Sequence, residues 1–147
     1  MGREPPCSYT LDVESKASAA MKVCDQILSQ LERNDFSQDD IFAVHLALEE
    51  AFANAIRHGN KMDPTKKIRI AYSVGTDKVE ISLTDQGKGF KPEAVPDPRV
   101  GSNLYKPEGR GLFLIGSYMD VAKFNEKGNC LYMVRYKERP PLASNQG

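Results

Sequence analysis

Residues 41–60, IFAVHLALEEAFANAIRHGN, constrain the fold more than any other stretch, because they read as a helix with two different faces. At about 100° per residue, Ile41, Val44, Leu48, Phe52 and Ala55 share one stripe with Ala51 and Ile56 at its edges, which is the core face of an amphipathic helix. Roughly 120 to 160° further round by the same rotation stand Ala43, Ala47, Glu50 and Asn54. A solvated face ordinarily carries long Lys, Glu and Gln side chains. Here a carboxylate and an amide one turn apart stand on a floor of alanines that leaves room for a bulky group. A polar pair at i,i+4 is also common on plain helix surfaces, so the pair alone does not decide between a site and a surface.

The rest of the chain supplies one domain around that helix. With 147 residues, 40% of them apolar and 27% charged, the composition is that of a soluble globular domain with one core. Twenty basic residues balance twenty acidic ones, so no basic field exists to hold nucleic acid or an anionic membrane. Cys7, Cys24 and Cys130 are odd in number and lack CxxC spacing, which argues against a disulfide framework or structural zinc and suits a reducing cytosol. The N-terminal MGREPPCSYT lacks the apolar core of a secretory signal, about 7 to 15 residues, and no run approaches the roughly 18 apolar residues that span a bilayer. A cytoplasmic location without membrane attachment is expected. Gly2 does not make a myristoylation site, because Pro6 stands where Ser or Thr is needed.

Residues 8–13 alternate as a strand, and residues 14–31 show helical spacing through Ala17, Met21, Cys24, Leu28 and Leu31. Asn34-Asp35 breaks that helix. Ser37 is placed to cap the next one, with Asp39 and Asp40 in its first turn, where the helix dipole favours negative charge. Gly59 stands as a C′ residue, and Asp63-Pro64 follows as a turn. Residues 67–74 and 79–84 are strands joined by Gly75-Thr76-Asp77, an antiparallel hairpin. Residues 91–108 hold Pro92, Pro96, Pro98 and Pro107 with little apolar content and read as a long irregular loop of the kind that usually carries function. After Gly109-Arg110-Gly111 comes a short apolar helix, LFLIGSYM, and then strands over 121–125 and 129–136 around Lys127-Gly128. The order predicts an α+β fold, a two-layer α/β sandwich whose mixed, mostly antiparallel sheet carries its helices on one face. The domain runs over 8–137, between a flexible N-terminus (1–7) and a flexible tail (138–147).

Two glycine-rich stretches add chemistry to the helix face. In Asp85-Gln86-Gly87-Lys88-Gly89-Phe90 an acid ends a strand, and the glycines allow positive φ and close approach of a flat ligand. A carboxylate there can accept a hydrogen bond from an amine such as the 6-amino group of adenine; a plain turn fits the same letters. Gly109-Arg110-Gly111 before a helix offers free backbone N–H groups and a favourable dipole to phosphates, or a simple cap. No GxxxxGK[ST] occurs, so there is no P-loop.

ExxxN on a helix, DxGxGF after a strand and GxGL before a helix occur in that order, with the long loop between the last two. Together with EEAFANAIRHGN, VPDPRVGSNLYKPEGRGLFLI and YMDVAKFNEKGN, this resembles the Bergerat-fold ATP-binding domain of the GHKL superfamily, and within it the bacterial anti-sigma-factor serine/threonine kinases. The resemblance covers residues 11–136. It implies ATP and Mg²⁺ as cofactors, with Asn54 coordinating the metal, Glu50 as general base and Asp85 holding the adenine amine. Gly87 and Gly89 would line the base pocket, and Gly109, Arg110 and Gly111 would cover the phosphates at the hinge of a lid over about 91–111. The implied function is an ATP-dependent protein-serine/threonine kinase that phosphorylates an anti-anti-sigma-type protein and binds a sigma factor, with a homodimer among the allowed assemblies. The alternative is an ATP-gated binding module that transfers no phosphoryl group. Mg²⁺ needs few protein oxygens when phosphates and water complete its shell, and a Glu one turn away suits removal of a proton from an attacking serine hydroxyl. His45 reads as packed at the core edge, and His58 as a charge at the helix end. One departure from the family is Cys130, which falls where a base-contacting Thr is common; a thiol is a poor hydrogen-bonding substitute.

Overall fold

The structure, a computed structural model, describes residues 7–88 and 114–137. Residues 1–6, the lid segment 91–111 with Gly109, Arg110 and Gly111, the pocket residue Gly89 and the tail from 138 lie outside the described residues. The elements are β1 (Cys7–Glu14), α1 (Ala17–Arg33), α2 (Gln38–Asn54) continued by a π-helical turn (Ala55–Gly59), β2 (Lys67–Val74), β3 (Lys78–Thr84), a helical segment at 114–118, β4 (Val121–Phe124) and β5 (Cys130–Tyr136).

The strands form one sheet in the order β1-β2-β3-β5-β4, and all four described pairings are antiparallel. The α+β class and the hairpins stand as expected; the parallel component of a mixed sheet is absent among the described residues. Period-2 alternation sends Ile68, Ile70, Tyr72 and Val74 of β2 and Val79, Ile81 and Leu83 of β3 to one face, where Leu131 and Met133 of β5 join them. The helices cover that face with Val23, Ile27 and Leu31 from α1 and Val44, Leu48 and Phe52 from α2, and Ile115 and Met119 close the cluster. Cutting Leu48 back to Ala in such a core costs about 2–5 kcal/mol.

The helix readings need two corrections. First, α1 begins at Ala17, not at 14, because the strand runs on through Glu14, Ser15 is buried in the bend and Lys16 is still extended (φ −151). Its buried stripe is Ala20, Val23, Cys24, Ile27 and Leu31, while Met21 is 63% exposed. Second, the alanine floor of α2 is closed: Ala43 and Ala47 are buried, and the open part of that face is confined to Glu50 and Asn54.

The start of α2 is held by a cap and an ion pair. Ser37 caps it as expected, its hydroxyl accepting from the Asp40 N–H at 3.0 Å while the Asp40 carboxylate accepts from the Ser37 N–H at 3.4 Å. Asp40 is fully buried, however, and its Oδ1 accepts from Arg135 Nε of β5 at 2.8 Å. Arg135 also donates to the carbonyl of Tyr118 at 2.7 Å, so one guanidinium ties α2, β5 and the 114–118 helix together.

Candidate functional site

Glu50 and Asn54 sit in the last two turns of α2, both partly buried. Among the described residues the Glu50 carboxylate makes no hydrogen bond or ion pair. Among the described residues the buried Nδ2 of Asn54 has no partner, and a buried donor left unmet costs free energy.

Past Asn54 the helix widens into the π turn, in which the Asn60 N–H reaches back to the Ala55 carbonyl at 2.8 Å. The left-handed residues that reverse the chain are Lys61 (φ 53) and Met62 (φ 63), not Gly59. Gly59 is glycine for space: a Cβ there would lie 2.2 Å from Oδ2 of Asp85. Gly87 likewise has no positive φ, contrary to the expectation for this loop; a Cβ on it would lie 2.0 Å from the Gly59 carbonyl oxygen. The two glycines let the helix end and the DQG loop meet backbone to backbone, about one turn beyond Asn54.

That contact places Asp85 on the end of α2. Its own backbone is held from the residue just before β5, with the Asp85 N–H donating to the Asn129 carbonyl at 2.9 Å and Asn129 Nδ2 donating to the Asp85 carbonyl at 3.3 Å. Oδ1 accepts the Gly87 N–H at 2.8 Å, and Oδ2 accepts nothing among the described residues. Burial pushes the Asp85 pKa above the usual carboxylate range, against the opposing pull of the Gly87 N–H and of Lys66 and Lys127. A half-buried acceptor with one oxygen to spare, on a floor without side chains, is suited to a planar donor such as an exocyclic amine.

Of the sequence-derived residues, the structure brings Gly59, Asp85 and Gly87 together at the end of the helix that carries Glu50 and Asn54. Cys130 is set apart from them. It pairs with Thr84, and since Leu83 and Leu131 one step along point inward, alternation turns Thr84 and Cys130 to the other face of the sheet. Asn129 is the residue against Asp85. His45 is not packed in the core edge; it is 45% exposed and 3.2 Å from Glu49. His58 is exposed. Burial pushes the Cys24 thiol up to about 12, which leaves it unreactive at neutral pH.

Sequence reasoning missed two amides, Asn129 and Asn60. Asn60 is fully buried: its Nδ2 donates to Ser15 Oγ and to the Lys67 carbonyl, both at 3.1 Å, and its Oδ1 accepts the Gln86 N–H at 2.8 Å. The only signal for it is its place directly after Gly59, which does not separate a buried Asn from an exposed one.

The donor set fits a nucleotide with its metal. Among the described residues no three His, Cys, Asp or Glu side chains form a cage for a cation. An amide oxygen at Asn54 one turn from the Glu50 carboxylate fits the sparse protein contribution that Mg²⁺ takes when phosphates and water supply the other oxygens, while the unmet Nδ2 is a donor suited to an acceptor oxygen and not to the metal.

Comparison with known proteins bears on the same stretch of chain. Residues 13–135 match the model of the histidine kinase-like ATPase domain. The serine-protein kinase RsbW of Bacillus licheniformis is 31% identical over 114 residues, which cover 71% of this chain and 69% of that protein. The anti-sigma F factor of Oceanobacillus iheyensis is 29% identical over 152 aligned positions, covering 99% of this chain and 100% of that one. Among solved structures, the RsbU and RsbW domains of a Mycobacterium tuberculosis protein share the fold with a TM-score of 0.61 at 20% identity. The alignment covers 91% of this chain and spans 33% of that longer one. A match that starts in β1, ends in β5 and encloses Glu50, Asn54 and Asp85 takes in every described element of the fold, and the chain belongs to the histidine kinase-like ATPase domain family.

Proposed function

We propose that this chain is an ATP-dependent protein-serine/threonine kinase that acts as an anti-sigma factor in the cytoplasm, phosphorylating an anti-anti-sigma-type protein and binding a sigma factor. The observation that carries the chemistry is the pairing, one turn apart on α2, of an unengaged carboxylate at Glu50 with the unmet amide of Asn54, on a helix whose end packs against Asp85. The RsbW and anti-sigma F relatives support the choice of protein substrate and sigma-factor partner.

Asp85 receives the 6-amino hydrogen of the base on Oδ2 while Gly87 holds Oδ1. Asn54 would hold Mg²⁺ through its amide oxygen; the bound metal supplies charge neutralisation on the triphosphate. Glu50 accepts the proton of the partner's serine hydroxyl as its oxygen bonds to the γ-phosphorus and the bond to the β-phosphate oxygen breaks. Gly109, Arg110 and Gly111 would close over the phosphates. A homodimer would leave the site intact, since Glu50, Asn54 and Asp85 all come from one copy.

The two α2 residues separate the steps. Asn54→Ala is expected to weaken Mg-ATP binding itself. Glu50→Ala is expected to keep ATP affinity within a few-fold and to slow transfer by roughly 10² to 10⁴, the usual range for a lost general base. Transfer of ³²P from ATP to the protein retained in co-purification, measured beside nucleotide binding, reads both. Parent-rate transfer by Glu50→Ala, or a parent that binds ATP and partner without transfer, would replace the kinase with an ATP-gated binding module.

A further inference from the structure

The residue with the densest set of buried polar contacts near the site touches neither Glu50 nor Asn54, and the roles assigned above leave it unused. Asn60 has no exposed surface, and its amide spends every donor it has: one hydrogen to Ser15, one to the Lys67 carbonyl. Its oxygen takes the Gln86 N–H, and its own N–H closes the π turn on Ala55. Gln86 completes a ring, because its side-chain Oε1 accepts the Lys67 N–H at 2.7 Å. Asn60, Gln86 and Lys67 thus lock the end of α2, the loop after β3 and the start of β2 to one another.

Gln86 lies between Asp85 and Gly87, and the Gly87 N–H fixes Oδ1 of Asp85. Whatever sets the Gln86 peptide therefore sets the carboxylate, and Asn60 sets it from the helix side while Asn129, just before β5, holds the Asp85 backbone. We propose that Asn60 is the positioning residue of the base pocket: the Asn60–Gln86–Lys67 ring aims the Asp85 carboxylate, so that preference for a 6-amino over a 6-oxo purine depends on a residue that does not contact the nucleotide. The inference rests on the nucleotide reading above. It assigns Asn60 more than support of the fold, because a carboxylate that can drift loses the geometry that makes a 6-oxo group an unpaired partner, and a site built around such a buried bond discriminates by as much as ~10⁴.

The experiment compares ATP and GTP affinities, by calorimetry, for the parent, Asn60→Ala, Asn60→Asp and Ser15→Ala, with a thermal melt of each to establish folding. The parent is expected to prefer ATP. Asn60→Ala is expected to lose at least about tenfold of that preference, mainly through weaker ATP binding. Ser15→Ala removes a partner outside the ring, so it is expected to melt lower yet keep the parent ratio. Equal weakening of ATP and GTP by a folded Asn60→Ala protein, leaving the ratio within about twofold of the parent, overturns the proposal and makes Asn60 a structural residue only. Should Asn60→Ala not fold, Asn60→Asp decides. It keeps the volume but faces the Lys67 carbonyl with an acceptor, which opens the ring, and a parent-like ratio in that protein overturns the proposal equally. A parent that binds neither nucleotide, or both alike, sinks the nucleotide reading itself; a discriminating parent with a discriminating Asn60→Ala sinks only the role of Asn60.

Discussion

Asp85 answers two opposed demands with one carboxylate, and the conflict is measurable. Burial raises its folded-state pKa above the unfolded value, so the proton favours the folded protein. That contribution is fully present below the unfolded carboxylate pKa and is lost as pH rises through the folded one. At neutral pH the ionised form therefore works against folding. Asp85→Asn removes the charge and keeps an oxygen for the Gly87 N–H. It is expected to melt above the parent at pH about 7, with the gain fading as pH falls through the carboxylate range, and to lose its preference for ATP over GTP. Melts across pH about 4 to 8 check the first part, and an Asp85→Asn protein that melts lower than the parent at neutral pH refutes it. Glu50, Asn54 and Asp85 stood out in the sequence through spacing joined to the family resemblance, and the structure sets Asp85 against the end of the helix that carries the other two. Gly59 and Gly87 were legible as glycines but for the wrong reason: letters reveal conformational licence, whereas here the cause is a neighbour from another element. Asn60 and Asn129 left no pattern, since a buried amide serving distant segments looks like any polar residue.

At the scale of the element, α2 is a rod fixed differently at its two ends. Its N-terminus carries the capping box and the buried Asp40–Arg135 pair, and its C-terminus opens into the π turn that meets Asp85. The cap was readable from Ser37 and the acids behind it. The ion pair was not, because Asp40 and Arg135 stand 95 positions apart. Nor was the π turn, whose Asn60 N–H to Ala55 carbonyl bond no letter pattern marks. Removing one partner of a buried, hydrogen-bonded pair leaves the other unmet, so Asp40→Ala is expected to lose about 3–5 kcal/mol, or roughly 10 °C in melting temperature for a domain of this size. Urea unfolding of the parent and Asp40→Ala measures it; a loss below about 1 kcal/mol would mean that the pair is replaced by solvent at little cost.

For the whole molecule, the order of strands and helices, the hairpins and the one-sided core were all legible from alternation and turn residues. Which apolar positions of α1 turn inward was not, because Met21 and Ala20 satisfy helical spacing almost equally and only the sheet beneath decides. The sheet order puts β2, β3 and β5 inside and leaves β1 and β4 at the edges. Backbone amides of β3, paired on both sides over a fully buried face, are expected to exchange slowest with solvent deuterium, and those of the four-residue β4 fastest of the five strands. The meeting of Gly59 with Gly87 bears on how such a chain drifts under mutation. The two positions share one neighbour: the space absent at Gly59 is filled by the Asp85 carboxylate, and the space absent at Gly87 by the Gly59 backbone and that same carboxylate. Neither can gain even a methyl group as the site stands: at Gly59 relief would require giving up the Asp85 carboxylate, and at Gly87 the obstacle is the Gly59 backbone, which has no side chain to shed. In a randomised library selected for ATP binding, both sites are expected to stay glycine in nearly every survivor, while Gly116, with open space around it, accepts many residues.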